Sequence, residues 1–236
     1  MTKNYNSTAV IITAAGSSTR MGGRKKELIE TEEGKTVLSA SVNAFLVLVE
    51  HKIQIPRIII PVPHESIDDN IFFNAMRAVP PVLFNKIKLV KGGRTRQESV
   101  FNALKALETD KPRFVLIHDG ARPFVSADII LSLIEELNHN DAAAPGIVPV
   151  DTIKLLDSES FVKEHLLRKQ LTCIQTPQGF VYEKILDAHK KAAIDNKEYT
   201  DDTEIFANYY GKVKVIPGDE KNIKITYPED LEKLNV

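Results

Sequence analysis

Short runs of apolar, mostly β-branched residues alternate along the chain with longer stretches whose apolar positions recur at helical spacing. The runs predict strands over 9–13, 57–62, 86–90, 114–118, 143–149 and 213–216, and the stretches predict helices over 36–49, 66–78, 96–107, 127–138, 183–193 and 228–234. Thr95 and Ser126 precede their helical stretches as N-cap residues should, and Pro228 suits a first helical turn. Alternation of this kind predicts an α/β fold: a mostly parallel sheet with helices on both faces.

The alternation breaks between Pro145 and Thr176. The extended segments 148–154 and 171–175 flank roughly a dozen mostly polar residues, a pattern that predicts a β-arm over about 148–174 projecting from an otherwise single domain spanning 1–236. Such an arm exposes apolar strand edges unless a second subunit covers them, so a homodimer joined through the arm is expected. No internal repeat, low-complexity tract or Pro/Gly/Ser-rich linker divides the chain.

Composition narrows the partners. The 236 residues are 43% hydrophobic, enough for a sizeable core. The 31 basic and 32 acidic residues leave a net charge of -1, which provides no global attraction for nucleic acid. The expected ligand is therefore small and bound by local clusters. A single cysteine, Cys173, excludes an intrachain disulfide framework and reads as a small buried hydrophobe in an apolar strand. The opening residues lack a basic-then-apolar leader pattern and no apolar run is long enough for a bilayer, so a cytoplasmic protein with no membrane association is expected.

Ligands of open α/β sheets sit outside the carboxyl ends of the strands, and five such places are chemically loaded. After the first strand comes Thr13-Ala14-Ala15-Gly16-Ser17-Ser18-Thr19-Arg20-Met21, followed by Gly22-Gly23-Arg24-Lys25-Lys26. This matches neither the G-x-G-x-x-G nor the Walker pattern. Its small residues nevertheless let backbone N–H groups approach an anion, and its cations can neutralise a polyphosphate. After the third strand stands Gly92-Gly93-Arg94-Thr95-Arg96-Gln97-Glu98-Ser99, a glycine turn entering a helix. The fourth ends in His118-Asp119-Gly120-Ala121-Arg122, with a carboxylate suited to Mg²⁺ or ribose and an arginine suited to phosphate. Thr200-Asp201-Asp202-Thr203 and Asn222-Ile223-Lys224-Ile225-Thr226 add hydroxyls, carboxylates and a further cation.

Each block alone also has a plain structural use. Arg20, Lys25 and Lys26 serve equally as solvated loop cations, and Gly92-Gly93 as an ordinary turn. Asp119 and Arg122 could form a surface pair, Asp201 and Asp202 could cap a helix, and His118 reads as a structural side chain rather than a general base. Five clusters converging on one sheet edge favour phosphate chemistry.

The blocks A-A-G-S-S-T-R-M, G-G-R-T-R-Q-E-S-V, H-D-G-A-R-P-F, P-V-D-T-I-K, Q-T-P-Q-G-F, T-D-D and N-I-K-I-T-Y-P-E-D-L occur in this order from about Ala9 to Leu231. In this order they resemble the 2-C-methyl-D-erythritol 4-phosphate cytidylyltransferase family of non-mevalonate isoprenoid synthesis. The resemblance implies a Rossmann-like, glycosyltransferase-A-type fold and a homodimer with interlocking arms. It also implies a Mg²⁺-dependent transfer of CMP from CTP to a polyol phosphate with release of pyrophosphate. Carried onto this chain, it implies that Ala14, Ala15 and Gly16 line the nucleotide and that Arg20 and Lys26 hold its phosphates. Gly92, Gly93 and Ser99 would meet the cytosine, and Asp119 the ribose and metal. Arg122, Thr152, Arg168 and Thr200 would contact the acceptor, some of them across the dimer, and Lys224 the reacting α-phosphate.

Two departures accompany the resemblance. Lys25-Lys26-Glu27 stands where the family usually has Pro-Lys-Gln, so Lys25 could replace Lys26 by a one-residue shift, and Glu27 should point away from the phosphates. Pro149-Val150-Asp151-Thr152 has the shorter form also seen in ribitol-5-phosphate cytidylyltransferases, which keeps ribitol 5-phosphate open as the alternative, while Lys154 and the His-Asp-Gly-Ala-Arg-Pro form favour 2-C-methyl-D-erythritol 4-phosphate as the acceptor. A sugar transferase of the same fold commonly needs Asp-x-Asp, which the chain lacks, and a catalytically silent nucleotide-binding module is the remaining alternative.

Overall fold

The computed structural model describes residues 7–31 and 34–235. In chain order the elements are β1 (Thr8–Thr13), α1 (Val37–Asn43), α2 (Leu46–Glu50), β2 (Ile58–Val62), α3 (Ile71–Ala75), α4 (Pro81–Phe84), β3 (Ile87–Lys91), α5 (Arg96–Lys105), β4 (Phe114–Asp119), α6 (Ala127–Glu136) and β5 (Ala142–Ile147). There follow β6 (Lys154–Leu156), β7 (Val162–His165), β8 (Cys173–Ile174), β9 (Gln178–Val181), α7 (Tyr182–Ile194), α8 (Asp202–Tyr210) and β10 (Lys214–Pro217).

The central sheet runs β10-β5-β9-β4-β1-β2-β3, with β8 added on β5. Strands β1, β2 and β4 are nearly continuous apolar runs because helices cover both faces, whereas the edge strand β3 keeps two lysines exposed. Val10 and Ile12 of β1 point into one core with α1 to α4 and α6, whereas Ala9 and Ile11 point into the other with α5, α7 and α8. The chain runs outward from β1 to β2 and β3 on one side and returns to β4 on the other. The ends of β1 and β4 therefore form the switch point where such sheets open a crevice.

Local chemistry starts the helices where the pattern places them. Thr36 and Ser39 form a reciprocal capping box at α1, and the Thr95 hydroxyl accepts from the Glu98 N–H at 3.1 Å. Ser126 and Asp201 cap α6 and α8 in the same way. The helix expected over 36–49 divides instead into α1 and α2, where Phe45 N–H bonds back only three residues to Val42 and its ring enters the core against His118. The helix expected over 66–78 shrinks to a 3-10 turn, His64–Ser66, and α3. The stretch 228–234 is 3-10 helix rather than α-helix.

The region after β5 leaves the sheet mostly parallel, as expected, but differs from the expectation in its strand bounds, its hairpin and the exposure of Cys173. Strand β9 lies antiparallel between β4 and β5, so the sheet is mixed. A Cβ at Gly179 within it would lie 2.9 Å from Leu137 Cδ1, so any larger residue there requires that leucine to move. The strand expected over 143–149 ends at Ile147. The arm's own hairpin is β6 with β7, inside the stretch that reads as polar, while the expected second arm segment joins the main sheet as β8. Both hairpin strands are exposed throughout. Cys173 is exposed rather than buried, because the two-residue β8 pairs only with the last two residues of β5, past the covered part of the sheet.

Candidate active site

The crevice at the switch point is a cavity of about 970 Å³. Its wall includes Ala15, Gly16, Arg20, Lys26, Gly92, Gly93, Ser99, Asp119 and Lys224, brought together from four separate stretches of sequence. The loop after β1 turns through Ser18, Gly22 and Gly23, all in the left-handed region; the two glycines adopt it without steric cost. The loop after β3 is pressed against it, and a Cβ on Gly92 would come within 2.5 Å of Ala15 Cβ. Ser99 fixes this turn, its hydroxyl accepting from Gly93 N–H at 2.9 Å and donating to Thr95 C=O at 2.9 Å.

Asp119 is the electrostatic centre. It ends β4 beside Thr13, its register partner on β1. Lys224 Nζ stands 2.8 Å from Oδ2, Arg122 Nε 3.7 Å from Oδ2, and Arg96 Nε 3.6 Å from Oδ1. Burial alone would raise its pKa, but Lys224, Arg96 and Arg122 overcome that and hold the carboxyl far below the usual range. The backbone behind it is locked. Arg122 C=O can only accept, so His118 Nε2 carries the proton at 3.0 Å, and Nδ1 accepts from the Thr176 hydroxyl at 3.0 Å. Thr176 in turn accepts from Asp119 N–H at 3.1 Å. Burial pushes His118 down to about 4, so it is a neutral structural side chain, as its place at a strand end implied.

The two lysines of the first loop part company. Both line the cavity, but Lys25 turns to the exposed Glu65, 3.9 Å away, whereas Lys26 lies in the field of Glu27, Lys224, Asp119 and Arg20, and burial lowers its pKa. Glu27 does not point away from the site as expected: it is 3% exposed, lines the cavity, and its Oε2 has no hydrogen-bond partner. Burial raises its pKa.

Other expected residues stand elsewhere. The Ala14 side chain is packed in the core instead of lining the cavity, because strand alternation continues one residue past β1. Arg122 lies behind Asp119 and donates to Asn222 C=O at 2.6 Å. Thr200 is exposed and donates to Glu204 at 2.7 Å, and Arg168 on the arm donates to Val150 C=O at 2.8 Å. Thr152 is exposed at the base of the arm. None of these four lines the cavity. Arg96 was not singled out from the sequence, although it does line the cavity. A detectable signal existed: a cation in the first turn of α5 opposes the helix dipole and needs a carboxylate nearby.

The family model described as 2-C-methyl-D-erythritol 4-phosphate cytidylyltransferase (IspD) matches residues 8–235. Two proteins of that name are similar to this chain. One from Clostridium beijerinckii is 42% identical, covering 94% of each chain. One from Clostridium botulinum is 38% identical, covering 98% of this chain and 95% of the relative. The crystal structure of 4-diphosphocytidyl-2C-methyl-D-erythritol synthase from Anaerococcus prevotii superposes with a TM-score of 0.82 at 31% identity, covering 99% of this chain and 96% of the other.

Proposed function

Because this chain belongs to the 2-C-methyl-D-erythritol 4-phosphate cytidylyltransferase family, and so transfers a cytidylyl group from CTP to that acceptor in the non-mevalonate pathway, we propose that the transfer takes place in the cavity between β1 and β4. The observation that carries this placement is the caged Asp119, a fully ionised carboxylate surrounded by cations beneath a small-residue loop. The volume suits a nucleotide.

In this reading the Gly92–Gly93 turn receives the cytosine through backbone groups, and Ser99 holds that turn in shape. The Ala15–Gly16 backbone and Arg20 take the triphosphate. Lys26, rather than Lys25, faces the phosphates, since Lys25 is directed to Glu65. The acceptor's phosphate monoester is already ionised at neutral pH, so the residues need not remove a proton. Their work is positioning and charge stabilisation: Lys26 offsets the triphosphate, and Lys224 offsets charge developing at the α-phosphorus.

Among the described residues no three His, Cys, Asp or Glu side chains cluster as a metal cage. Asp119 fits Mg²⁺ in the other common manner, as one carboxylate combined with substrate phosphate oxygens. When bound, the ion would supply charge neutralisation on the triphosphate.

The arm is proposed to dock on a second copy, which supports a homodimer. Val150, Phe161, Val162 and Leu167 are all at least half exposed along it. Arg168 and Thr152 ride on this arm, so docking is how they would reach an acceptor bound in the partner's cavity. A cytoplasmic location is proposed because the single cysteine is free and none of the described helices is long and apolar enough to cross a membrane.

The test is pyrophosphate release with CTP and Mg²⁺, comparing 2-C-methyl-D-erythritol 4-phosphate with ribitol 5-phosphate. Release with the former alone is expected. Preference for ribitol 5-phosphate would overturn the acceptor assignment, and Asp119→Ala with unchanged turnover would overturn the placement of the site.

A further inference from the structure

Arg96 leads from the cavity to a buried network that the transfer reaction as described does not use. It is the first residue of α5, and its guanidinium lies between two carboxylates. Nη1 donates to Asp202 Oδ2 at 2.7 Å, whereas Nε stands 3.6 Å from Asp119 Oδ1, an ion pair without a direct hydrogen bond. Asp202 and His189 are both fully buried, and His189 Nε2 donates to Asp202 Oδ1 at 3.1 Å. The imidazole is in turn stacked on Phe101 of α5, with ring centroids 6.0 Å apart. Asp202 is thus held from behind by α7 and reaches forward to the cavity wall without lining it.

The same first turn of α5 ties down the segment before α8. Gln97 Nε2 donates to Lys197 C=O at 3.0 Å, and Tyr199 N–H donates to Gln97 Oε1 at 3.0 Å. Asp202 is consequently not free to follow Arg96 if the guanidinium moves. A cation shared by two carboxylates settles on the better hydrogen-bonded one, and charge-assisted hydrogen bonds are roughly twice as strong as neutral ones. Without the Asp202 charge, Asp119 would be the one ion-pair partner left to Arg96 among the described residues.

We infer that Asp202, braced by His189, is a positioning residue of the cytidylyl transfer: it holds Arg96 back from a full pair with Asp119 and so keeps the Asp119 carboxylate open to the cavity. The inference rests on the cavity being the transfer site. A guanidinium that closed onto Asp119 would turn the carboxylate away from the ribose it is proposed to meet, and so misplace the nucleotide's α-phosphate without removing its other contacts. The effect is one of aim rather than binding, so it belongs to turnover more than to substrate affinity.

The test uses the full-length protein with CTP, Mg²⁺ and 2-C-methyl-D-erythritol 4-phosphate. Asp202→Asn preserves shape and a hydrogen-bond acceptor but removes the charge. It should lower kcat about tenfold or more, with KM for both substrates within about twofold. In an Arg96→Gln background the same change should cost less than about twofold more, because the residue it acts through is gone. His189→Gln keeps a donor to Asp202 and should retain turnover, whereas His189→Leu should lose it; this pair decides the matter if Asp202→Asn does not fold, as thermal unfolding would reveal. A folded Asp202→Asn with wild-type kcat, losses that multiply in the double variant, or equal behaviour of the two His189 variants would overturn the inference. An inactive wild-type protein would instead count against the site placement on which it rests.

Discussion

Lys224 Nζ lies 2.8 Å from Asp119 Oδ2, the shortest contact in the cation cage around that carboxylate. One residue ends β4 and the other sits in an irregular segment near the chain's C-terminal end, so the pair joins the sheet edge to the last stretch of chain. Lys224 is less than half exposed and lines the cavity, which places its charge where a triphosphate would lie.

Replacing Lys224 by Ala should lower kcat by roughly 10²–10³-fold, the range for a lost transition-state charge stabiliser. CTP affinity measured by calorimetry should change by less than about fivefold, because Asp119 and the other cations remain. Equal losses in turnover and affinity would contradict a transition-state role.

The neighbouring lysines should separate cleanly. Lys26→Ala should raise KM for CTP at least about tenfold, since an ammonium facing a polyphosphate in a partly desolvated site is worth more than 1.4 kcal/mol. Lys25→Ala should leave kinetics within about twofold, because its 3.9 Å pair with exposed Glu65 is a weak surface contact. The reverse result would shift the phosphate role by one residue.

Glu27→Gln should raise stability at neutral pH. Burial raises the carboxyl's pKa above its value of 4.5 in the unfolded chain, so the folded state binds more protons and loses stability as pH rises from 4.5 through the folded pKa. Glutamine has no such cost. The gain in thermal midpoint of the variant should therefore be largest at pH 7–8 and should shrink towards pH 4.5. The variant should also lower KM for CTP, since it removes a negative charge from the cavity wall. A gain independent of pH would mean that packing, not ionisation, is the cause.

Charging the arm should separate the subunits. Phe161→Asp with Leu167→Asp places two carboxylates on its exposed apolar surface, 68% and 59% exposed in the single chain. If two copies dock through the arm as proposed, sedimentation should show a dimer for the wild type and a monomer for the variant, and acceptor KM should rise as Arg168 and Thr152 leave the partner's cavity; a monomeric wild type would overturn the docking. A dimer unaffected by both changes would put the interface elsewhere.

Most of the fold and much of the cavity wall were legible in the sequence. Caps such as Thr95 and Ser126, the glycine turn at Gly92–Gly93 and the small-residue loop after β1 are local devices, and each acts within a few residues of itself. Less legible were features that depend on long-range contact. No strand is expected over Gln178–Val181; it forms one because β4 and β5 pair with it from both sides. Cys173 sits in an apolar run, yet its strand pairs only with the last two residues of β5.

The sequence by itself determined the alternation of strands and helices, the strand ends that carry chemistry and the family to which they point, because hydrophobic period and turn chemistry are encoded in neighbouring residues. Only the tertiary structure decided that three cations share Asp119, that Lys26 lies in their field while Lys25 pairs with Glu65, that Glu27 is buried beside them, and that Asp202 and His189 stand behind Arg96. Those relations are set by strand order and side-chain direction between distant segments, and Coulomb and hydrogen-bond energies depend on such distances rather than on separation along the chain.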